Sequence, residues 1–229
     1  MAFGVDATSH ATATGTDGTG LTWAHTCGAS ANKLVALVGG GVSVGSKEIS
    51  SMTYNGIAFT GEAVDGNNAS WAGTAIWYLD NPTADGNPHN IVATWAATQS
   101  QRAGAAISFN EAATGVAATG TNTGTSANPS VTVASSQSAD IVVSVVFSDS
   151  GPNATMDENG TLIAEDENVE SDSDYNAQRQ TASGASTVCS WTCSDSGDPW
   201  GACALAVRAA AGGGGTGPTP VQAPIVLLM

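Results

Sequence analysis

The sequence "GLTWAHTCGASANKLVALVGG", residues 20–40, contains two β-strand signals with a turn between them. In the first part, Trp23, His25 and Cys27 alternate with small or polar residues, which is the period-2 pattern of a strand. The segment "ASAN" is typical of a turn, and "KLVALV" after it is a strongly apolar strand. This stretch therefore predicts consecutive β-strands.

The same order of features recurs in the second half of the chain. Residues 11–40 and 117–148 each contain a Thr/Gly run, a short alternating strand, a turn and an apolar strand. Each half continues with an Asn-Gly turn before a strand, in "YNGIAFT" and "ENGTLIA". Each half ends with a Trp-bearing strand, a polar turn and an Ala-rich strand. The pattern predicts an internal duplication.

The repeated pattern predicts an all-β fold, because no stretch keeps an apolar period of 3.6 residues. We predict one jelly-roll β-sandwich over residues 1–210, in which both halves supply about eight core strands to two packed sheets. The alternative is two tandem immunoglobulin-like domains divided near residues 112–117. Strands are predicted near residues 3–8, 20–27, 33–44, 49–60, 73–80, 89–97, 103–110, 116–123, 129–134, 139–148, 160–164, 174–183, 185–194 and 201–209.

The composition excludes some partners. Charged residues make up 11% of the chain, against roughly 25% in an average globular protein. The net charge is −15 with five basic residues, which argues against binding to nucleic acid or to an anionic membrane. The start "MAFGVDATSH" has neither a basic nor an apolar signal region, so we expect synthesis in a cytoplasm without a signal peptide.

The end of the chain predicts attachment to a partner. Residues 211–220 are rich in Gly and Pro and predict a flexible linker. Residues 221–229 predict an extended apolar tail that docks by strand addition, although a disordered end is the alternative. The candidate contact residues of this tail are Val221, Pro224, Ile225, Val226, Leu227, Leu228 and Met229.

The four cysteines leave two interpretations open. Cys193 and Cys203 flank the turn-like "SDSGDPWGA" and could form a disulfide across a hairpin. The favoured interpretation is four buried free thiols, since free cysteine behaves as a small hydrophobic residue. The spacing of Cys and His does not match a zinc site.

Two further sets of residues are candidate ligand sites. Trp71 and Trp200 lie beside turns, where an indole could stack on a sugar ring or simply cap the sandwich. An acidic segment supplies oxygen ligands at alternate positions for Ca²⁺, although a solvated acidic loop or edge strand is favoured. Its candidate ligands are Asp166, Asn168, Glu170, Asp172 and Asp174. The sequence predicts no catalytic residues, because no nucleophile–base arrangement appears, and no cofactor.

A series of strand segments resembles a known family. The segments "LTWAHTCGASANKLVALVG", "SSMTYNGIAFT", "AIWYLDNP", "HNIVATW", "AGAAISF" and "DPWGACALAV" are similar to jelly-roll modules of tailed-phage virion proteins. The resemblance covers about residues 2–209 and rests on strands and turns.

The resemblance implies a non-enzymatic structural protein on the virion surface, in particular a capsid decoration or cement protein. Its expected partners are the major capsid protein, or fibre and tail components, and further copies of itself in an oligomer such as a trimer. A fibre or adhesin module that binds host glycan is the alternative, and a glycan-active enzyme is a weaker one.

Overall fold

The computed structural model describes residues 2–13, 18–41, 48–66, 72–148, 155–166, 173–194 and 197–211. In these ranges the chain forms 17 β-strands, and every pairing between strands is antiparallel. The predicted all-β sandwich class is confirmed.

The first half of the chain, residues 4–110, forms two sheets. Its strands are β1 (Gly4–Ala13), β2 (Gly18–Thr26), β3 (Ala31–Gly41), β4 (Ile49–Tyr54), β5 (Ile57–Ala58), β6 (Gly61–Asp65), β7 (Ala72–Asp80), β8 (Pro88–Gln99) and β9 (Gln101–Asn110). One sheet has the order β1-β9-β3-β7-β6 and is called the first inner sheet here. The other has the order β2-β8-β4-β5 and is called the first outer sheet.

The second half, residues 118–207, repeats this arrangement. Its strands are β10 (Ala118–Gly124), β11 (Ser130–Ala134), β12 (Ile141–Ser148), β13 (Met156–Glu158), β14 (Thr161–Asp166), β15 (Asp174–Thr181), β16 (Ser186–Cys193) and β17 (Trp200–Val207). The second inner sheet has the order β10-β17-β12-β15-β14, and the second outer sheet has the order β11-β16-β13.

The strand orders support the duplication seen in the sequence. Strands β1, β2, β3, β4, β6, β7, β8 and β9 occupy the same places in the first half as β10 to β17 do in the second. In both halves the first strand pairs with the last, the second with the seventh, and the third with the sixth. Each half is therefore a complete two-sheet unit with its own outer sheet.

The two inner sheets pack face to face, so the molecule has four layers. Their shared core, here called the central core, contains Val35, Ile107 and Phe109 from the first half and Val145 and Phe147 from the second. Each half also has a core of its own, which lies between its inner sheet and its outer sheet.

The prediction of about eight strands in two sheets is therefore wrong. Each half instead forms a sandwich of its own. Small alanine and glycine residues let the inner sheets of the two sandwiches approach closely. Ala105 and Ala177 belong to the central core, and a Cβ added to Gly39 would lie 2.6 Å from the Phe147 ring.

The packing of the halves has the pattern of a twofold dimer within one chain. On one side of the molecule β1 contacts β14. On the other side β10 contacts β6, and these two strands are the counterparts of β1 and β14. The middle strands β3 and β12, which are also counterparts, contact each other. Such exchange of equivalent contacts defines an isologous interface.

Candidate functional site

Two predicted contact groups lie outside the described residues. They are the tail residues Val221, Pro224, Ile225, Val226, Leu227, Leu228 and Met229, and the candidate stacking residue Trp71. Their roles stay predictions.

Trp200 is not a sugar-stacking residue. Its side chain is 4% exposed in the core between the second inner and outer sheets. The indole Nε1 donates a hydrogen bond to the Ser126 carbonyl oxygen at 3.0 Å. The turn "GDPWG" suggested exposure, but Trp200 is the first residue of β17 and points inward.

The Cys193–Cys203 disulfide, which the sequence left open, is not formed, and all four cysteines are buried thiols as the favoured interpretation expected. Cys193 lies in the core between the second inner and outer sheets, whereas Cys203 lies in the central core. The two side chains therefore lie on opposite sides of the second inner sheet, to which Cys203 belongs and Cys193 does not. Burial also raises the pKa of the Cys27 and Cys189 thiols.

The candidate calcium ligands are only partly described. Asp166 ends β14 opposite Tyr175, and Asp174 is buried at the start of β15 opposite Ser148. The remaining candidates, Asn168, Glu170 and Asp172, lie outside the described residues. Within the described ranges, no group of three or more His, Cys, Asp or Glu residues could hold a metal ion.

A buried polar network surrounds His25, on β2. Ser108 Oγ and the Gly28 N–H both donate to the Asp6 carboxylate, each at 2.8 Å. Because the Ser108 proton is used in this way, Ser108 Oγ accepts from His25 Nε2 at 3.1 Å. His25 Nδ1 is then unprotonated and accepts from the Ser9 hydroxyl at 2.8 Å. The hydrogen bonds thus run in one direction, from Ser9 through His25 and Ser108 to Asp6.

The order of hydrogen bonds from serine through histidine and serine to aspartate resembles that of a catalytic relay. The histidine, however, binds a proton too weakly for that role. Burial lowers the pKa of His25 from its ordinary value of 6.5 to about 4, and the nearby Asp6 only partly opposes this effect. A general base works best with a pKa near the working pH. His25 is therefore neutral at pH 7 and poorly matched to proton abstraction, while its two hydrogen bonds fix β2 against β1 and β9.

A second polar cluster lies where the two halves join. Lys33 is 1% exposed, and its ammonium donates to Asp80 and to the Gly115 carbonyl oxygen. The Gly115 N–H donates in turn to Asp80 at 2.7 Å. Asn32 makes two hydrogen bonds to the Ala112 backbone, at 2.7 and 2.9 Å. These contacts, here called the junction latch, hold the connection between β9 and β10 onto the first half.

The second half holds the same connection from its other side. Ala112 forms a β-bridge with Ala209, and Arg208 makes a bidentate ion pair with Asp140 at 2.9 and 3.0 Å. A shallow cavity of about 140 Å³ lies between Arg208 and residues 113–117. The alternation of His25 with Trp23 is a sequence signal for a buried histidine, whereas Lys33 is marked only as a single cation before an apolar run.

Comparison of the chain with family models, curated proteins and solved structures finds no match. The described residues include no helix that is long and apolar enough to span a bilayer.

Proposed function

We propose that this chain is a non-enzymatic structural protein of a virion, which decorates the capsid surface and attaches through its apolar tail. We also infer that each half is a jelly roll, since the pairings of first with last, second with seventh and third with sixth strand are those of a rolled-up hairpin.

The observation that carries the proposal is the four-layer body with one continuous central core. Tyr175 of the second half donates a hydrogen bond to the Leu37 carbonyl oxygen of the first half at 2.9 Å. Ser173 similarly donates to Gln101 at 2.6 Å, and the junction latch fixes the connection between the halves. These contacts hold the two halves in one fixed orientation, which suits a protein that coats a lattice.

The surface and the tail fit the same role. A net charge of −15 keeps copies soluble and opposes non-specific association. Residues 225–229, "IVLLM", form a proline-free apolar segment that can add to a partner sheet. The tail thus provides the specific contact to the capsid.

The location of the chain on intact particles tests the proposal. We expect mass spectrometry to detect it in purified virions, and cryo-electron microscopy to place it on the head surface. A chain lacking residues 221–229 should fold normally but be absent from particles. Particles without the chain, a location only at the tail tip, or full incorporation of the truncated chain would each contradict the proposal.

The glycan-binding alternative now depends on Trp71, because Trp200 is buried. A glycan array with the wild-type chain and a Trp71→Ala variant tests this alternative. Binding that the substitution abolishes would favour an adhesin over a decoration protein.

A further inference from the structure

The two inner sheets have four edge strands, and three of them contain a bulge that interrupts their regular pairing. β1 has a bulge between Val5 and Ala7, β6 has one between Glu62 and Val64, and β14 has one between Leu162 and Ala164. Bulges disrupt the hydrogen-bond ladder and protect exposed edges. β14 also carries charged residues at its end.

Strand β10 has neither protection. Its seven residues, "ATGTNTG", pair with β17 in continuous register from Ala118 to Gly124. The strand contains no charge and no proline, although the chain as a whole carries a net charge of −15. No other strand of the described residues pairs with its outer edge.

Several residues of β10 are also exposed, while β11 contacts the strand at Gly120 and Asn122. Its exposed residues include Thr119, Thr121 and Thr123. The neighbouring uncharged edge strand, β11, differs because its own backbone is turned onto β10. The Ser130 carbonyl oxygen accepts from Asn122 Nδ2 at 2.7 Å, and the Thr132 carbonyl oxygen lies against Gly120.

The sequence of β10 complements itself. An antiparallel pair of β10 strands centred on Thr121 places Thr121 opposite Thr121 and Thr119 opposite Thr123, all on one face. Cross-strand threonine pairs stabilise sheets. A twofold axis generates such like-to-like contacts without further requirements, so a second copy of the same strand fits this edge better than a strand with bulky or charged residues.

We propose that β10 is a self-association edge, through which two copies of this chain join their second inner sheets by antiparallel β10–β10 pairing. The pairing continues the five-stranded sheet of each copy across the axis into one sheet of ten strands. A contact of seven residues per copy is small, so the dimer is reversible and depends on concentration. This inference goes beyond the proposed function and does not depend on a virion location.

Charge substitution at the axis tests the proposal. Thr121→Lys and Thr121→Glu each place like charges opposite each other in a homodimer, and each should weaken association roughly tenfold or more. A mixture of the two variants should restore the dimer as a heterodimer, because the charges are then opposite. Sedimentation equilibrium measures the association, and native mass spectrometry distinguishes the heterodimer by mass.

Controls separate β10 from other contacts. Thr161→Lys places the same charge on the other edge strand of the same sheet and should leave the dimer unchanged. A chain without residues 221–229 should also dimerise, and hydrogen exchange should show protection of residues 118–124 that increases with concentration. A wild-type monomer at all concentrations, unchanged association of Thr121→Lys, or failure of the mixture to dimerise would each overturn the proposal. Protection of β10 that requires residues 221–229 would assign the edge to the tail instead.

Discussion

At the scale of single residues, the buried polar groups matter most, because each one needs a partner. His25 is 2% exposed and forms hydrogen bonds with Ser9 and Ser108. Lys33 forms an ion pair with Asp80, and its Nζ lies 5.1 Å from the centre of the Tyr78 ring. The sequence could predict that His25 is buried, because it alternates with Trp23 in a strand pattern. It could not predict the partners, which come from strands distant in sequence.

The buried state of His25 predicts a dependence of stability on pH. Its folded pKa is about 4, below the ordinary value of 6.5. The unfolded chain therefore binds a proton between about pH 6.5 and pH 4 that the folded chain does not. The free energy of unfolding should fall as pH falls through this window, with a contribution from His25 of about 3 kcal/mol.

Denaturant unfolding between about pH 4 and pH 7 measures this contribution. A His25→Gln variant should be less stable at neutral pH but should lose less stability on acidification than the wild type. His10→Gln, on the exposed side of β1, serves as the control and should follow the wild-type curve. An equal slope for His25→Gln and the wild type would show that His25 does not titrate differently on folding.

At the scale of elements, local patterns located the strands well. The predicted strands near 139–148 and 201–209 correspond to β12 and β17, because apolar residues and turn residues mark their ends. The turn "YNG" also has the predicted form, with positive φ at both Asn55 and Gly56, whereas neither Asn159 nor Gly160 has positive φ. Trp200 shows the limit of this approach, because a turn beside a residue does not fix the direction of its side chain.

Close contact between the inner sheets predicts that glycine is required at Gly201, on β17. A Cβ there would lie 2.0 Å from the Gly66 carbonyl oxygen, which belongs to the first half. A Gly201→Ala substitution should therefore force the two inner sheets apart and destabilise the protein by roughly 1–3 kcal/mol. Gly4→Ala, whose Cβ would meet nothing within 4 Å, is the matched control. Chemical denaturation measures the free energy of unfolding of both variants. Equal values would mean that the inner sheets can accommodate a Cβ at position 201.

At the scale of the whole molecule, the sequence indicated the duplication but not how the halves combine. Short-range patterns report which residues form strands, whereas the arrangement of four layers depends on contacts between residues far apart in the chain. The hydrogen bond from Tyr175 to Leu37, which joins residues 138 positions apart, is one example. The abundance of alanine and glycine in β3, β9 and β17 was the available signal, since only small residues permit two inner sheets to pack this closely.

The shared central core predicts that the two halves unfold as one unit. Lys33→Met should test this coupling, because it leaves Asp80 without its buried cation and removes the two Lys33 hydrogen bonds from the junction latch. We expect a loss of roughly 3 kcal/mol, since removing one partner of a buried ion pair leaves the other uncompensated. The double variant Lys33→Met/Asp80→Asn should regain part of this loss, because the uncompensated charge is gone and the introduced amide oxygen can still accept from the Gly115 N–H.

Native-state hydrogen exchange reads each half separately, through the amides of β3 and β12. If the halves are coupled through the central core, both strands should lose the same protection in Lys33→Met, although Lys33 itself lies in β3. A loss confined to β3 would mean that the halves are stable independently and that the central core does not couple their unfolding.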